Sequence, residues 1–401
     1  MRIIPLIIFW AILIIYGCES SRSMLIIQNS SWPDGTCITL MTKNRSSVHT
    51  TLYGDHVRFD IQNNNWYLVR VASTAHVTFL SDTLLTYEGN ISFTLPPPIP
   101  RPRIGSWRLG CVLSQHLPDS RYEDFTSIAH GSLTTISPDL LNNEQLTRIV
   151  STAHVNNIEV TARVPVTTSD TPQILSIADS AEVYCVDGVV VLPDSSLCAS
   201  PEFGGFVRQL ASSLHERGLT LAVQFLSDCG ADSIIIPSGI PEVMTLAPPP
   251  ETPDELRISF ACTGIQTSVT TERIEEKINE LVRNHIPLSR ITVELILSGF
   301  KFRFGDNGNL EPEKPEQGEI QDIIRDSGGY GIVRLRDGTL RLGFKGSLYI
   351  FDDCEGTAQK IGVLRTDALS RSGGIHIFYN GFGVKPDPGD FIQFSKSAGM
   401  P

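Results

Sequence analysis

The sequence predicts an α/β fold: a (β/α)8 TIM barrel with an α+β insertion between strands 7 and 8, preceded by a small all-β domain. Three observations carry that prediction. From about residue 104 onward, apolar strand runs alternate with amphipathic helix patterns, the order that builds a parallel sheet. A proline-dense stretch, Leu95-Pro96-Pro97-Pro98-Ile99-Pro100-Arg101-Pro102, separates this region from a series of short strands. Late in the chain, Asp337-Gly338 lies between two strand-like segments, the strongest short hairpin signal.

The chain has 401 residues, enough for one large domain with a smaller one. A hydrophobic content of 41% with 19% charged residues is globular rather than disordered. The formal net charge of -12 and the lack of a basic run exclude a nucleic-acid partner and an anionic membrane surface.

The N-terminus predicts export. Arg2 precedes an apolar run over residues 3–16, followed by Gly17-Cys18-Glu19-Ser20, the layout of a signal peptide over 1–20. The run is shorter than the about 20 residues a membrane-spanning helix needs, so no span is expected after its removal. Ile15-Tyr16-Gly17-Cys18 also weakly resembles a lipobox, which would make Cys18 a lipid anchor instead. Sequons at Asn29, Asn44 and Asn90 favour a glycosylated product of the secretory route. The C-terminus has no apolar tail, so a GPI anchor is not expected. Eight cysteines suit an oxidising compartment. Once Cys18 is removed the number is odd, leaving at least one thiol free or paired between chains. Cys185 with Cys198 is a candidate local closure. No Cys or His spacing suggests a metal, and no cofactor motif appears.

Residues 24–95 read as short strands (24–27, 36–41, 56–61, 66–72, 76–80 and 90–94) broken by Pro33-Asp34-Gly35, Gly54-Asp55 and Asn63-Asn64-Asn65. A small β-sandwich is expected there, with 96–102 as a stiff linker. The barrel is expected over 103–385 and a tail over 386–401. Its predicted strands are 104–109, 125–136, 158–164, 183–192, 219–226, 233–237, 291–297 and 374–379. Phe203, Phe206, Val207, Leu210 and Leu214 mark one helix face, closed at Gly218, and Ile274, Ile278, Leu281 and Val282 mark another. Segments 330–336 and 339–344 flank Asp337-Gly338, so the insertion is expected over about 300–372.

At the end of the fourth predicted strand stands Asp187-Gly188-Val189-Val190-Val191-Leu192-Pro193-Asp194. It resembles the D-G-x-D-x-D-x-E motif of glycoside hydrolase family 18, the chitinases. The helix at Phe203–Gly218, the approach Ile286-Pro287-Leu288-Ser289-Arg290-Ile291 and the segment Phe351-Asp352-Asp353-Cys354-Glu355-Gly356 with Lys360 are similar to family segments in the same order. The resemblance covers roughly residues 104–382 and implies substrate-assisted hydrolysis, in which a protonated acid and an acetamide-orienting carboxylate serve the sugar. Here Asp187 is kept, but Val190 and Leu192 replace the next two aspartates and Asp194 replaces the acidic Glu. Asp is one methylene shorter, and a proton donor misplaced by about 1 Å can cost about 10²-fold. Leu192 cannot orient an acetamide. The family's strand-six Met-x-Tyr-Asp is matched only by Ile235-Ile236-Pro237-Ser238.

No catalytic residue is therefore expected, Asp194 being the only candidate at the acid position. Trp107, Phe378 and Tyr379 are candidates for a sugar-binding groove. The expected function is that of a secreted, non-catalytic chitinase-like protein binding a chitin-type oligosaccharide or a protein partner. Two alternatives stand beside it: a divergent hydrolase using Asp194 or another acid, and a secreted structural or surface scaffold.

Overall fold

The computed structural model describes residues 22–42, 47–81, 83–86, 89–100, 108–113, 135–138, 144–228, 236–247, 249–261, 270–297, 299–305, 309–313, 315–316, 319–328, 331–335, 338–366, 374–379 and 389–397. The signal-like segment, Cys18, Asn44 and Trp107 lie outside them. Among the described residues, no helix is long and apolar enough to cross a membrane. The chain divides into two compact units, Met1–Ile99 and Pro100–Pro401.

The first unit contains β1 (Arg22–Gln28), β2 (Cys37–Thr42), β3 (Ser47–Thr51), β4 (His56–Gln62), β5 (Trp66–Ser73), β6 (His76–Leu80), β7 (Leu84–Leu85) and β8 (Ile91–Thr94). One sheet runs β4-β1-β8; the other runs β3-β2-β5-β6, with β7 pairing β5. Leu25, Ile27, Phe59 and Ile61 from the first sheet and Ile38, Leu40, Val69 and Val71 from the second share one buried core. Alternation creates it: in β4, Phe59 and Ile61 are buried while Arg58, Asp60 and Gln62 are exposed. Strand β3 is absent from the sequence-based set. Its only large apolar residue, Val48, is itself exposed, so neither alternation nor an apolar run announces it. The first prolines are not a free spacer. Trp32 Nε1 donates to Pro96 O at 2.8 Å, and Val77 N donates to Ile99 O at 2.9 Å.

The second unit is a closed barrel of parallel strands in the order β10-β11-β12-β13-β14-β15-β21-β9. The strands are β9 (Arg108–Leu113), β10 (Thr135–Pro138), β11 (Glu159–Val166), β12 (Gly188–Pro193), β13 (Thr220–Asp228), β14 (Glu255–Ala261), β15 (Ile291–Leu297) and β21 (Gly374–Tyr379). The helices among the described residues are α1 (Glu144–Val155), α2 (Thr171–Val183), α3 (Ser195–Cys198), α4 (Phe203–His215), α5 (Ile240–Leu246), α6 (Thr271–Arg283), α7 (Glu319–Ser327), α8 (Cys354–Thr366) and α9 (Asp390–Ser397). Four helices end in one way. Asn157, Cys185, Gly218 and His285 take positive φ values of 59, 58, 68 and 63°. The next N–H then bonds back into the last turn, as in Leu219 N to Leu214 O at 2.9 Å.

The first two barrel strands are described at Arg108–Leu113 and Thr135–Pro138, overlapping the expected 104–109 and 125–136 only at their ends, and the rest of those two expectations lies outside the described residues. Two further strand assignments need correction. The sixth strand is Glu255–Ala261, not 233–237; Ile236-Pro237-Ser238 lie in the connection before α5. The true strand escapes a search for apolar runs because Glu255, Arg257 and Ser259 alternate with Leu256, Ile258 and Phe260. The fourth strand begins at Gly188, because Val183 closes α2 and Cys185 makes the turn. Asp187 therefore stands at the foot of its strand rather than at its end.

Between β15 and β21 lies the insertion, an antiparallel sheet ordered β17-β16-β20-β19-β18. Its strands are β16 (Gly299–Phe304), β17 (Leu310–Glu313), β18 (Ile332–Arg334), β19 (Leu340–Phe344) and β20 (Ser347–Phe351). Helix α7 is tied to it: Tyr349 Oη donates to Glu319 Oε1 at 2.9 Å and Lys301 Nζ lies 3.1 Å from the same oxygen.

Candidate functional site at the barrel mouth

The fourth strand runs between Asp187 and Asp194, and the two do different work. Asp187 is fully buried. Its Oδ2 accepts from Val160 N at 2.8 Å and lies 2.7 Å from His154 Nε2. It thus ties α1, β11 and β12 together at the N-terminal rim, the end of a (β/α)8 barrel where fixed residues serve stability. Gly188 is required there by space. A Cβ would meet Thr220 Oγ1 and come within 2.7 Å of Thr220 O.

The same clip recurs two strands on. Asp254 Oδ2 accepts from Leu221 N at 2.9 Å and lies 2.8 Å from His215 Nε2. His215 Nδ1 is hydrogen-bonded to Pro250 O. Burial pulls the His215 pKa down, but the hydrogen bond and charge of Asp254, with the Pro250 carbonyl, outweigh it against opposing Arg290. The net shift is upward.

At the other end of the strand, Asp194 follows Pro193 and caps α3. Its Oδ1 accepts from Leu197 N at 2.7 Å and from Ser196 Oγ at 2.8 Å. Chiefly the Leu197 N–H, then the Ser196 hydroxyl, hold its carboxyl below the ordinary value. A general acid needs the opposite shift, toward the working pH. Asp194 orders the start of α3 as its N-cap.

The positions between are apolar. Val190 pairs with Ala222, and Ala222 with Glu255, which places Val190 on the lumen face. Leu192, two residues on, shares that face. The lumen face of this strand therefore carries Gly188, Val190 and Leu192 and no carboxylate.

The carboxylates of the lumen lie elsewhere and are engaged. Arg257, 1% exposed, donates to Ser137 Oγ at 2.7 Å, Thr161 Oγ1 at 3.1 Å and Glu255 Oε2 at 3.2 Å. Arg108 Nη2 lies 3.6 Å from Glu255 Oε1. Glu294, fully buried, accepts at Oε1 from Ser259 Oγ at 2.6 Å and Gln224 Nε2 at 2.9 Å. This network was not singled out from sequence. Its signal was the polar-apolar alternation of β14 and a lone Glu inside a largely apolar β15.

Of the groove candidates, Phe378 and Tyr379 lie in β21, paired with Val112 and Leu113 at the C-terminal end of the barrel. Trp107 lies outside the described residues. Among the sequons, both Asn29 Nδ2 bonds are structural, to Trp32 O at 3.0 Å and Gly54 O at 3.1 Å. Asn90 is exposed and accepts from Met24 N at 3.2 Å through Oδ1. Cys185 and Cys198 are not joined: their sulfurs contact Val183 O and Pro193 O, each at 3.9 Å. Cys185 precedes β12 and Cys198 follows it in α3, so the length of that strand stands between them. Among the described residues, no three His, Cys, Asp or Glu side chains converge as metal ligands.

No family model matches the chain, and no curated protein matches it by sequence. Solved structures do. The C-terminal domain of a putative chitinase from Desulfitobacterium hafniense aligns at a TM-score of 0.58 and 14% identity, over 73% of this chain and 99% of that one. A class V chitinase from Nicotiana tobaccum aligns at 0.54 and 12% identity, over 73% and 99%. A chitinase-like agglutinin from Robinia pseudoacacia aligns at 0.50 and 13% identity, over 72% and 99%. At these identities the likeness is one of fold, and the fold is that of the chitinase-like (β/α)8 barrels of glycoside hydrolase family 18.

Proposed function

We propose that this protein is a secreted, non-catalytic chitinase-like protein that binds N-acetylglucosamine-type oligosaccharide at the C-terminal mouth of its barrel. The observation that carries the non-catalytic reading is the geometry of Asp194. The only carboxylate at the acid position is committed to Leu197 N and Ser196 Oγ, and those bonds favour its ionised form. Hydrolysis by a family 18 route needs a proton on that group and a second carboxylate beside it, and the strand offers Val190 and Leu192. A sugar ligand is supported by the fold's company. The tobacco chitinase fold, in a Glu-to-Gln variant, is also known with bound NAG4, and the Robinia relative is named an agglutinin.

Binding without turnover asks only for a concave site with apolar platforms and a few polar groups, which Phe378, Tyr379 and Trp107 are placed in sequence to supply. The signal-like start and the exposed Asn90 support export and glycosylation of the first unit. Titration of the purified secreted protein with chitohexaose, followed by analysis of the sugar, tests the proposal. Saturable heat with intact sugar, weakened by Phe378→Ala or Trp107→Ala, is expected. Released shorter sugars would make the protein a hydrolase, and no heat would leave the barrel without a sugar ligand.

A further inference from the structure

Strand β4 ends its sheet. It pairs with β1 alone, and its other edge faces a cleft of about 780 Å3 lined also by Val48, His49 and Thr50 of β3. Two hydrogen bonds establish which backbone groups face that edge. Asn29 N donates to Asp55 O at 2.7 Å, so residues 55, 57, 59 and 61 exchange hydrogen bonds with β1. Gln62 N turns the other way, to Tyr67 Oη at 2.9 Å. The N–H and C=O groups of Arg58 and Asp60 therefore point outward. Both side chains are exposed, and among the described residues neither is hydrogen-bonded or ion-paired.

An edge strand with free backbone groups is a template for another strand, and the residues of β4 select which one. We propose that β4 pairs antiparallel with β4 of a second copy of this chain, about a two-fold axis at Phe59. In that register Arg58 faces Asp60 of the second copy, and Asp60 faces its Arg58. Both are hydrogen-bonded pairs, so four backbone hydrogen bonds form together with two ion pairs. Shifting the axis to residue 58 sets arginine against arginine, and shifting it to residue 60 sets aspartate against aspartate. Like charges directly opposite are destabilising. Charge and hydrogen-bond parity thus agree on one self-complementary register, as a closed two-fold interface requires. The two three-stranded sheets join into one of six. A contact of this size falls at the small end of protein interfaces, and its ion pairs are exposed, so the dimer is salt-sensitive.

Sedimentation velocity of the full secreted chain over a micromolar concentration series reads this directly. The wild type is expected to dimerise reversibly, more weakly at high salt. Arg58→Asp and Asp60→Arg each place like charges opposite one another and raise the dissociation constant about tenfold or more. Mixed together, the two variants restore association. Every Arg or Asp of one then faces its opposite on the other, and this rescue excludes misfolding as the cause of the single losses. A monomeric wild type, a dimer that survives both single variants, or a mixture that stays monomeric would each overturn the proposal.

Discussion

His154 Nε2 and Asp187 Oδ2 meet at 2.7 Å at the foot of the barrel. The pair recurs at His215 and Asp254, at 2.8 Å. In both, the histidine lies in the last turn of a helix, six residues before the strand N–H that the same aspartate accepts (160 − 154 and 221 − 215). The retained aspartate is therefore half of a repeated mechanical clip.

Asp187→Ala leaves His154 and the Val160 N–H buried without their acceptor. Leaving a buried donor without its acceptor costs about 1–3 kcal/mol, so equilibrium urea denaturation should show a loss of that order. Sugar binding by the folded fraction should be unchanged, because Asp187 lies at the opposite end of its strand from the mouth.

His215 predicts a pH dependence with a definite sign. Its folded-state pKa is raised, so the protonated ring favours the fold. That contribution is fully present below about pH 6.5, the ordinary histidine value. It is lost as pH rises through the raised folded value. Melting curves from pH 5.5 to 9 should show wild type losing stability relative to His215→Gln on the alkaline side, with the gap closing there.

Two glycines should respond oppositely to alanine. At Gly188 a methyl would press on Thr220 O, so Gly188→Ala should lower stability by about 1–3 kcal/mol, the usual cost of overpacking. At Gly205, inside α4, a Cβ meets nothing within 4 Å. Gly205→Ala should therefore stabilise by about 0.5–1 kcal/mol.

In the lumen, Glu255 is the counter-charge of Arg257 and lies beside Arg108. Glu255→Gln should destabilise by about 3–5 kcal/mol. Adding Arg257→Met to it should recover much of that loss, and a double-mutant cycle measures the coupling.

The parts of the fold legible in the sequence were those with a single periodic signal. The seventh and eighth strands and the face of α4 were read at or near their observed bounds, because their apolar spacing has no competitor. In α6, Ile274, Ile278 and Leu281 are buried as expected, but Val282 is exposed and Lys277 takes its place on the buried face. Strand β14 was missed because its inward face is charged, and hydrophobic runs cannot reveal a strand whose lumen side is Glu255, Arg257 and Ser259. Asp187 was placed at the wrong end of its strand because Val183, apolar and contiguous with β12 in sequence, belongs to the end of α2. The commitment of Asp194 to capping was partly readable: Asp194-Ser195-Ser196-Leu197 has the look of a helix start. The lumen network was not, since, Glu255 and Arg257 apart, its partners lie 35 or more residues from one another.

The central claim is that the acid position no longer protonates a leaving group. The most direct measurement is the rate of chitohexaose cleavage by wild type and Asp194→Ala, followed by product separation across pH 4 to 8. The account predicts intact sugar in both at every pH. Turnover by the wild type that Asp194→Ala abolishes would contradict it.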